Sequence, residues 1–346
     1  MDKSYWDFRN NVWAVTRLVL AGQSPADPDN ISRLGEQIGQ PLAHGIWGPV
    51  IVLLAAPLSM LDWRSAAALW LMLNIAALWG IVYFVTARFD RRPAHLVGLV
   101  VLCALFPPVL AHLELGQVSL LLAIVSLLAL SSLSGGRAEL TGGLLALLLI
   151  KPQFLVLLLP LVLMWAWRRG LARRLAAGFM LAMFAQAVAL SLLWPDWLSD
   201  YRSALLNNPQ WDQPNLLSWL TSYVQPQLAW VLWGCAVLLG IVLLSRLSRS
   251  LLWQSGLWAL ALTPLLSPYA WSWDFVLCLP LVLYTLTRTH AAFLLTLCGF
   301  AAICLSIAAM HMFVTSGDGA YVWVPPSLLI LCAASNWRAS NPAVAT

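Results

Sequence analysis

Asp7, Lys151 and Asp274 are charged residues placed where chemistry could occur, since each sits beside or inside an apolar run. Lys151 interrupts the leucine-rich stretch 144–159. An ammonium at the centre of a membrane helix costs about 2.5–3.5 kcal/mol, so it needs a partner or a role. Contact with a lipid phosphate is one reading; a lysine snorkelling to the interface is the other. Pro152 breaks the helix at the same point and frees carbonyls, which is tolerated where backbone lines a cavity. Asp7 opens the segment Phe8 to Ala21 and is either its N-cap or a carboxylate held at the water–lipid boundary. Asp274 ends Ser267-Pro-Tyr-Ala-Trp-Ser-Trp-Asp274, as a cap for the next apolar run or as a second carboxylate lining a site.

Neutral and aromatic groups add to this set. In Leu113-Glu-Leu-Gly-Gln117, Glu114 and Gln117 could bind sugar hydroxyls or form an ordinary polar turn. The connection 195–226 is long enough to be functional and carries Asn215. In and beside it, Trp194, Trp197, Trp211 and Trp219 could stack on sugar rings or belong to an interfacial aromatic belt, with the belt favoured for Trp194. His112 with Glu114 is too sparse for a metal site, and no HExxH or DxD motif occurs, so no metal is expected. No P-loop or dinucleotide fingerprint is present, and no cofactor is expected.

The elements that must position these residues are membrane helices. The chain has 346 residues, 61% hydrophobic and 10% charged, against about a quarter charged in a soluble domain. Its net charge of +5 needs no nucleic acid to explain it, since arginines gather in the loops between apolar runs. The six cysteines fall inside apolar segments without metal or redox spacing. Spans are expected at about 66–87, 94–111, 117–134, 174–194, 227–245, 251–266, 275–287, 291–314 and 321–334, with two passes in 140–167 broken at Lys151-Pro152. The run 47–61, with Pro49 and Pro57, is short and expected to be re-entrant. Val12, Val15, Leu18 and Val19 form one apolar stripe with Arg9 and Arg17 off it, the pattern of a helix lying on a membrane surface. Gly22 and Pro25 end that helix.

Arginine placement then sets orientation. Loops with Arg88/Arg91/Arg92, Arg137, Arg168/Arg169/Arg173/Arg174, Arg246/Arg249 and Arg288 are assigned to the cytoplasm. Eleven crossings satisfy all of them and leave 1–65, 112–117, 151–152, 195–226, 267–274 and 315–320 on the outer face. On this map 12 of the 14 acidic residues are outside, although acids did not set the topology. The expected architecture is one all-α polytopic domain over 1–346: interfacial helices and a re-entrant segment in 1–65, and a bundle over 66–334.

The ordered set Asp7-Phe8, Leu20-Ala-Gly-Gln-Ser-Pro25, Ala55-Ala-Pro-Leu58, Gly116-Gln117, Gly142-Gly143, Lys151-Pro152-Gln153 and Ser267-Pro268…Trp271…Asp274 resembles the bacterial GT-C glycosyltransferases of family 87. These are polyprenol-phosphate-mannose-type α-mannosyltransferases and their relatives. The resemblance implies a GT-C-type bundle in a bacterial inner membrane, with its site facing the periplasm. It implies Asp7 as general base and Lys151 at the donor phosphate; Glu114, Gln117, Gln153, Asn215, Trp271 and Asp274 are the candidate substrate contacts around them. The implied partners are a polyprenyl-phosphate sugar donor, a lipid or cell-envelope glycan acceptor, and the bilayer. Two departures from the family pattern stand out. No membrane helix precedes Asp7 in this sequence, and Trp273-Asp274 stands where some members have histidine. The rival classes are a transporter or lipid flippase, which also breaks helices near the midplane, and an inactive relative. No convincing internal repeat favours the transporter.

Overall fold

The computed structural model describes residues 4–43, 45, 47–89, 96–206, 211–248, 251–287, 290–313 and 317–340. Arg91, Arg92, Arg249 and Arg288, which helped to set the expected orientation, lie outside them, as do His44 and His95. Every regular element among the described residues is helical. Among the described residues, four helices are long and apolar enough to cross a membrane: Trp63–Phe89, Ala172–Leu193, Pro226–Leu247 and Phe293–Phe313. A fifth crossing is reached by counting Leu96–Ala104 with Pro107–Leu115, two helices bent by 72° at their junction. Shorter apolar helices, including Ser119–Ser134, Ala138–Ile150 and Pro152–Arg168, account for other runs expected to span. A helical membrane bundle is therefore established, whereas helix lengths alone do not reach the expected eleven crossings.

The N-terminal segment forms a helix that changes pitch. Phe8–Ala14 is wound as a π-helix and continues as the α-helix Val15–Leu20. Val12, Val15, Leu18 and Val19 are all buried, packing the stripe against the helix Val50–Ser59. Gly22 follows the helix end with φ 69°, the left-handed conformation that glycine adopts without strain. Arg9 lies off that stripe yet is also buried, with its guanidinium 5.4 Å from the rings of both Trp6 and Trp63. Pro28–Ile38 is a second amphipathic helix, started by Asp27, whose side chain accepts from Asp29 N, and ended by Gly39 at φ 64°.

The break at Lys151 is a real interruption. The helix Ala138–Leu147 tightens into a 3-10 turn, Leu148–Ile150, and a second turn, Pro152–Phe154, precedes the helix Leu155–Arg168. Pro152 has no N–H to donate, so the local ladder cannot be regular. The Ile150 carbonyl instead accepts from Gly48 N at 3.0 Å, tying the segment before Val50–Ser59 to the interruption. Ala138–Leu147 packs closely on Ala172–Leu193 through Gly142 and Gly178. A Cβ at Gly142 would overlap the Leu175 carbonyl, and one at Gly178 the Glu139 carbonyl. Small residues permit this backbone approach.

Candidate functional site

Asp7 does not cap the N-terminal helix: its backbone is already helical (φ −73°, ψ −39°) and its side chain makes no capping hydrogen bond. The carboxylate faces inward and accepts from Asn11 Nδ2 at 2.9 Å on Oδ1 and from Gln117 Nε2 at 2.5 Å on Oδ2. Burial drives its pKa from 3.8 up to about 6, against the opposing pull of the Lys151 charge and the Gln117 hydrogen bond.

Gln117 reaches this carboxylate because of the turn before it. Gly116 follows the helix Pro107–Leu115 at φ 71°, and a Cβ there would lie 2.6 Å from Phe8 Cβ. Glycine therefore serves both the left-handed backbone and the close approach of the N-terminal helix. The Gly116 carbonyl accepts from Trp70 Nε1 at 2.8 Å, and Trp70 stacks on Phe8 with centroids 5.2 Å apart. Tyr5 N donates to the Glu114 carbonyl at 2.6 Å, closing the junction.

Lys151 lies behind Gln117, buried at 6% exposure. Its ammonium donates to Gln117 Oε1 at 2.9 Å, Ser119 Oγ at 3.1 Å and Asp274 Oδ1 at 2.8 Å, which uses its three N–H donors. Trp47 and Phe154 each place a ring centroid 5.5 Å from the same nitrogen. Asp274 is fully buried and does two jobs. Its Oδ2 accepts from Trp271 N at 3.1 Å, as a cap would, while Oδ1 takes Lys151 and Ser119 Oγ, the latter at 2.5 Å. The result is one continuous network, Asn11–Asp7–Gln117–Lys151–Asp274–Ser119. Asp7 is half-buried, whereas Gln117, Lys151 and Asp274 are closed over.

Three of the other expected contacts fall outside this network. The Glu114 side chain is exposed and only its carbonyl is engaged. Asn215 is buried as the cap of Leu216–Thr221, accepting from Ser218 N and donating to Gln213 Oε1. Gln153 is half-buried one turn beyond Lys151. Trp271 borders the network: its ring stacks on Trp273 at 4.9 Å, three residues before Asp274 by backbone contact. Trp194 is buried, not part of an exposed belt, and donates to Asp200 Oδ2, which also holds Ser24 Oγ. Asn11 and Ser119 are members of the network that sequence reading did not single out. Ser119 opens an apolar helix, where a serine carries no signal beyond helix initiation.

The arrangement offers a carboxylate poised to accept a proton near neutral pH, backed by an amide, an ammonium and a second carboxylate. Among the described residues no group of three or more His, Cys, Asp and Glu is placed to hold a metal ion.

Residues 46–280 match the family model of glycosyltransferase family 87. That stretch contains Gln117, Lys151 and Asp274, and the fold brings Asp7 to it from outside. No curated protein and no solved structure matches the chain.

Proposed function

The chain belongs to glycosyltransferase family 87, and on that premise we propose that it transfers a hexose, mannose by resemblance, from a polyprenyl-phosphate donor. The acceptor is a hydroxyl of a lipid or cell-envelope glycan at the outer face of a bacterial inner membrane. Asp7 takes the acceptor proton as that oxygen bonds to the anomeric carbon. The bond from that carbon to the phosphate oxygen breaks, and polyprenyl phosphate leaves with the electron pair. A single displacement inverts the anomeric centre. Phosphate is a good leaving group, so one carboxylate suffices and no covalent nucleophile is required.

The observation that carries this reading is the state of Asp7, raised to about 6 while accepting from Gln117 and Asn11. A base of that strength is mostly ionised at neutral pH yet still accepts a proton readily. Lys151 supplies positive charge behind it. Since its three donors are engaged, a donor phosphate would have to take over the position of Ser119 or Gln117. Gln153 and Trp271, both half-buried and close in sequence to Lys151 and Asp274, serve as substrate contacts in this scheme.

The test is transfer from polyprenyl-phosphate hexose in membranes carrying wild type or Asp7→Asn. The variant is expected to lose transfer by a hundredfold or more, on the order of a general base's contribution. Unchanged turnover would remove Asp7 from the reaction. Lipid or sugar uptake by vesicles with no glycosylated product would favour the transporter reading.

A further inference from the structure

A polar hollow lies apart from the Asp7–Lys151–Asp274 network. It has a volume of about 490 Å³, within the range of small-ligand sites, and is walled by Trp211, Asp212, Gln213, Ser218, Trp230 and Tyr269, among others. None of these residues belongs to the network. Trp211 and Trp230 are about half exposed, at 53% and 52%, presenting flat apolar faces beside hydroxyl, amide and carboxylate groups. Asp212 is exposed and accepts no hydrogen bond from a described residue, and its carboxylate lies against Gly319, where a Cβ would overlap it.

Hydrogen bonds tie the wall to the strap that ends at the network. Ala270 N donates to Gln213 Oε1 at 3.2 Å, and Ser272 donates from N and Oγ to Asp318 at 2.8 and 2.6 Å. Trp211 packs 5.9 Å from Trp271, which stacks in turn on Trp273. The strap 267–274 therefore lines the hollow at Tyr269 and ends at the carboxylate that holds Lys151. Aromatic faces beside a solvent-facing carboxylate suit a pyranose ring, whose C–H face is apolar and whose hydroxyls radiate from its edge.

We propose that this hollow binds one pyranose unit of the acceptor glycan, set back from the reacting hydroxyl. Trp211 stacks on the ring and Asp212 accepts from two neighbouring hydroxyls. The proposal rests on the glycosyl-transfer reading for the word acceptor; the binding of a pyranose stands on the hollow alone. Its effect is to hold the acceptor at a fixed distance from Asp7, so that binding energy away from the reacting centre orients the attacking oxygen.

The experiment is saturation-transfer NMR on the purified full chain in detergent, titrated with methyl mannoside, glucoside and galactoside and with sorbitol as an acyclic control. At least one pyranoside should saturate where sorbitol does not. Asp212→Asn and Trp211→Ala should each weaken it about tenfold, and Trp211→Phe should retain most of the binding. Asp212→Asn is isosteric and exposed, so a monodisperse elution profile suffices as the folding control. The proposal is overturned when no pyranoside exceeds sorbitol, or when both variants bind as wild type does. Asp7→Asn should bind like wild type. Retained transfer by Asp7→Asn would sink the catalytic reading and leave the hollow's binding intact. An inactive Asp7→Asn beside fully active, wild-type-binding Trp211→Ala and Asp212→Asn would sink the hollow alone.

Discussion

Gln117 joins Asp7 to Lys151 with one amide: Nε2 donates to Asp7 Oδ2 at 2.5 Å while Oε1 accepts from Lys151 Nζ at 2.9 Å. The amide thus places both charged groups and favours the ionised form of Asp7. Gln117→Leu should raise the Asp7 pKa further above 6 and lower transfer at pH 7 about tenfold or more. A pH–rate profile checks this: its acidic limb should move to higher pH. A profile that only scales down, with the limb unmoved, would show that Gln117 does not act through Asp7.

The raised pKa makes a signed prediction about pH. With Asp7 at about 6, kcat/KM for transfer should fall about tenfold per pH unit below that value, because the protonated carboxyl cannot act as a base. Stability runs the other way. A carboxyl whose folded pKa exceeds its unfolded value of 3.8 favours the fold when protonated, and that advantage is lost as pH rises from 3.8 through about 6. Asp7→Asn should therefore be more stable than wild type at pH 7.5, by roughly 1–3 kcal/mol, while inactive. Thermal melts of the two proteins at pH 5 and 7.5 measure the difference.

Lys151 and Asp274 form a buried pair, and their separate removal should be costly. Lys151→Met or Asp274→Asn alone leaves an uncompensated buried charge, worth about 3–5 kcal/mol of destabilisation. The double variant Lys151→Met/Asp274→Asn should recover most of that loss without recovering transfer. A double-mutant cycle on melting temperature reads the coupling. Additive losses would mean that the two groups do not compensate each other.

Two adjacent glycines should behave in opposite ways. Gly142→Ala pushes a methyl into the backbone of Ala172–Leu193 and should lower both thermal stability and yield. Gly143 faces open space, so Gly143→Ala should be neutral or stabilising by up to about 1 kcal/mol, through the gain in helix propensity. Equal melting temperatures for the two variants would contradict the close helix contact.

Much of this was legible because charge is rare in the chain. A lone lysine next to proline inside leucines marks an interruption whatever the tertiary structure does, and the helix does break there. Val12, Val15, Leu18 and Val19 share one face, as their helical spacing requires, but that face packs on Val50–Ser59 and not on a membrane surface as expected. What escaped reading is set by tertiary contact. Asp7 looked like a cap because caps are chosen by residue type, but the helix starts before it and π-winding follows it. Arg9 reads as a surface residue until Trp6 and Trp63 close over it. Asn215 and Glu114 carry groups suited to a ligand, yet backbone neighbours claim Asn215 and Glu114 faces outward. Asn11 and Ser119 have ordinary neighbours in sequence and acquire meaning only from residues more than a hundred positions away or on the next helical turn.

The sequence separations within the network carry a consequence for biogenesis. Asp7 and Gln117 are 110 residues apart, and Lys151 and Asp274 are 123 apart. A ribosome delivers Lys151 to the translocon long before it has made the counter-ion. The lysine must wait in its half-finished bundle, neutralised by nothing that the chain yet contains at position 274. The Lys151–Asp274 contact can close only once the Ser272–Cys278 turn has been made, after Asp7 and Gln117. A nascent chain stopped short of it should leave that ammonium open to the lipid headgroups.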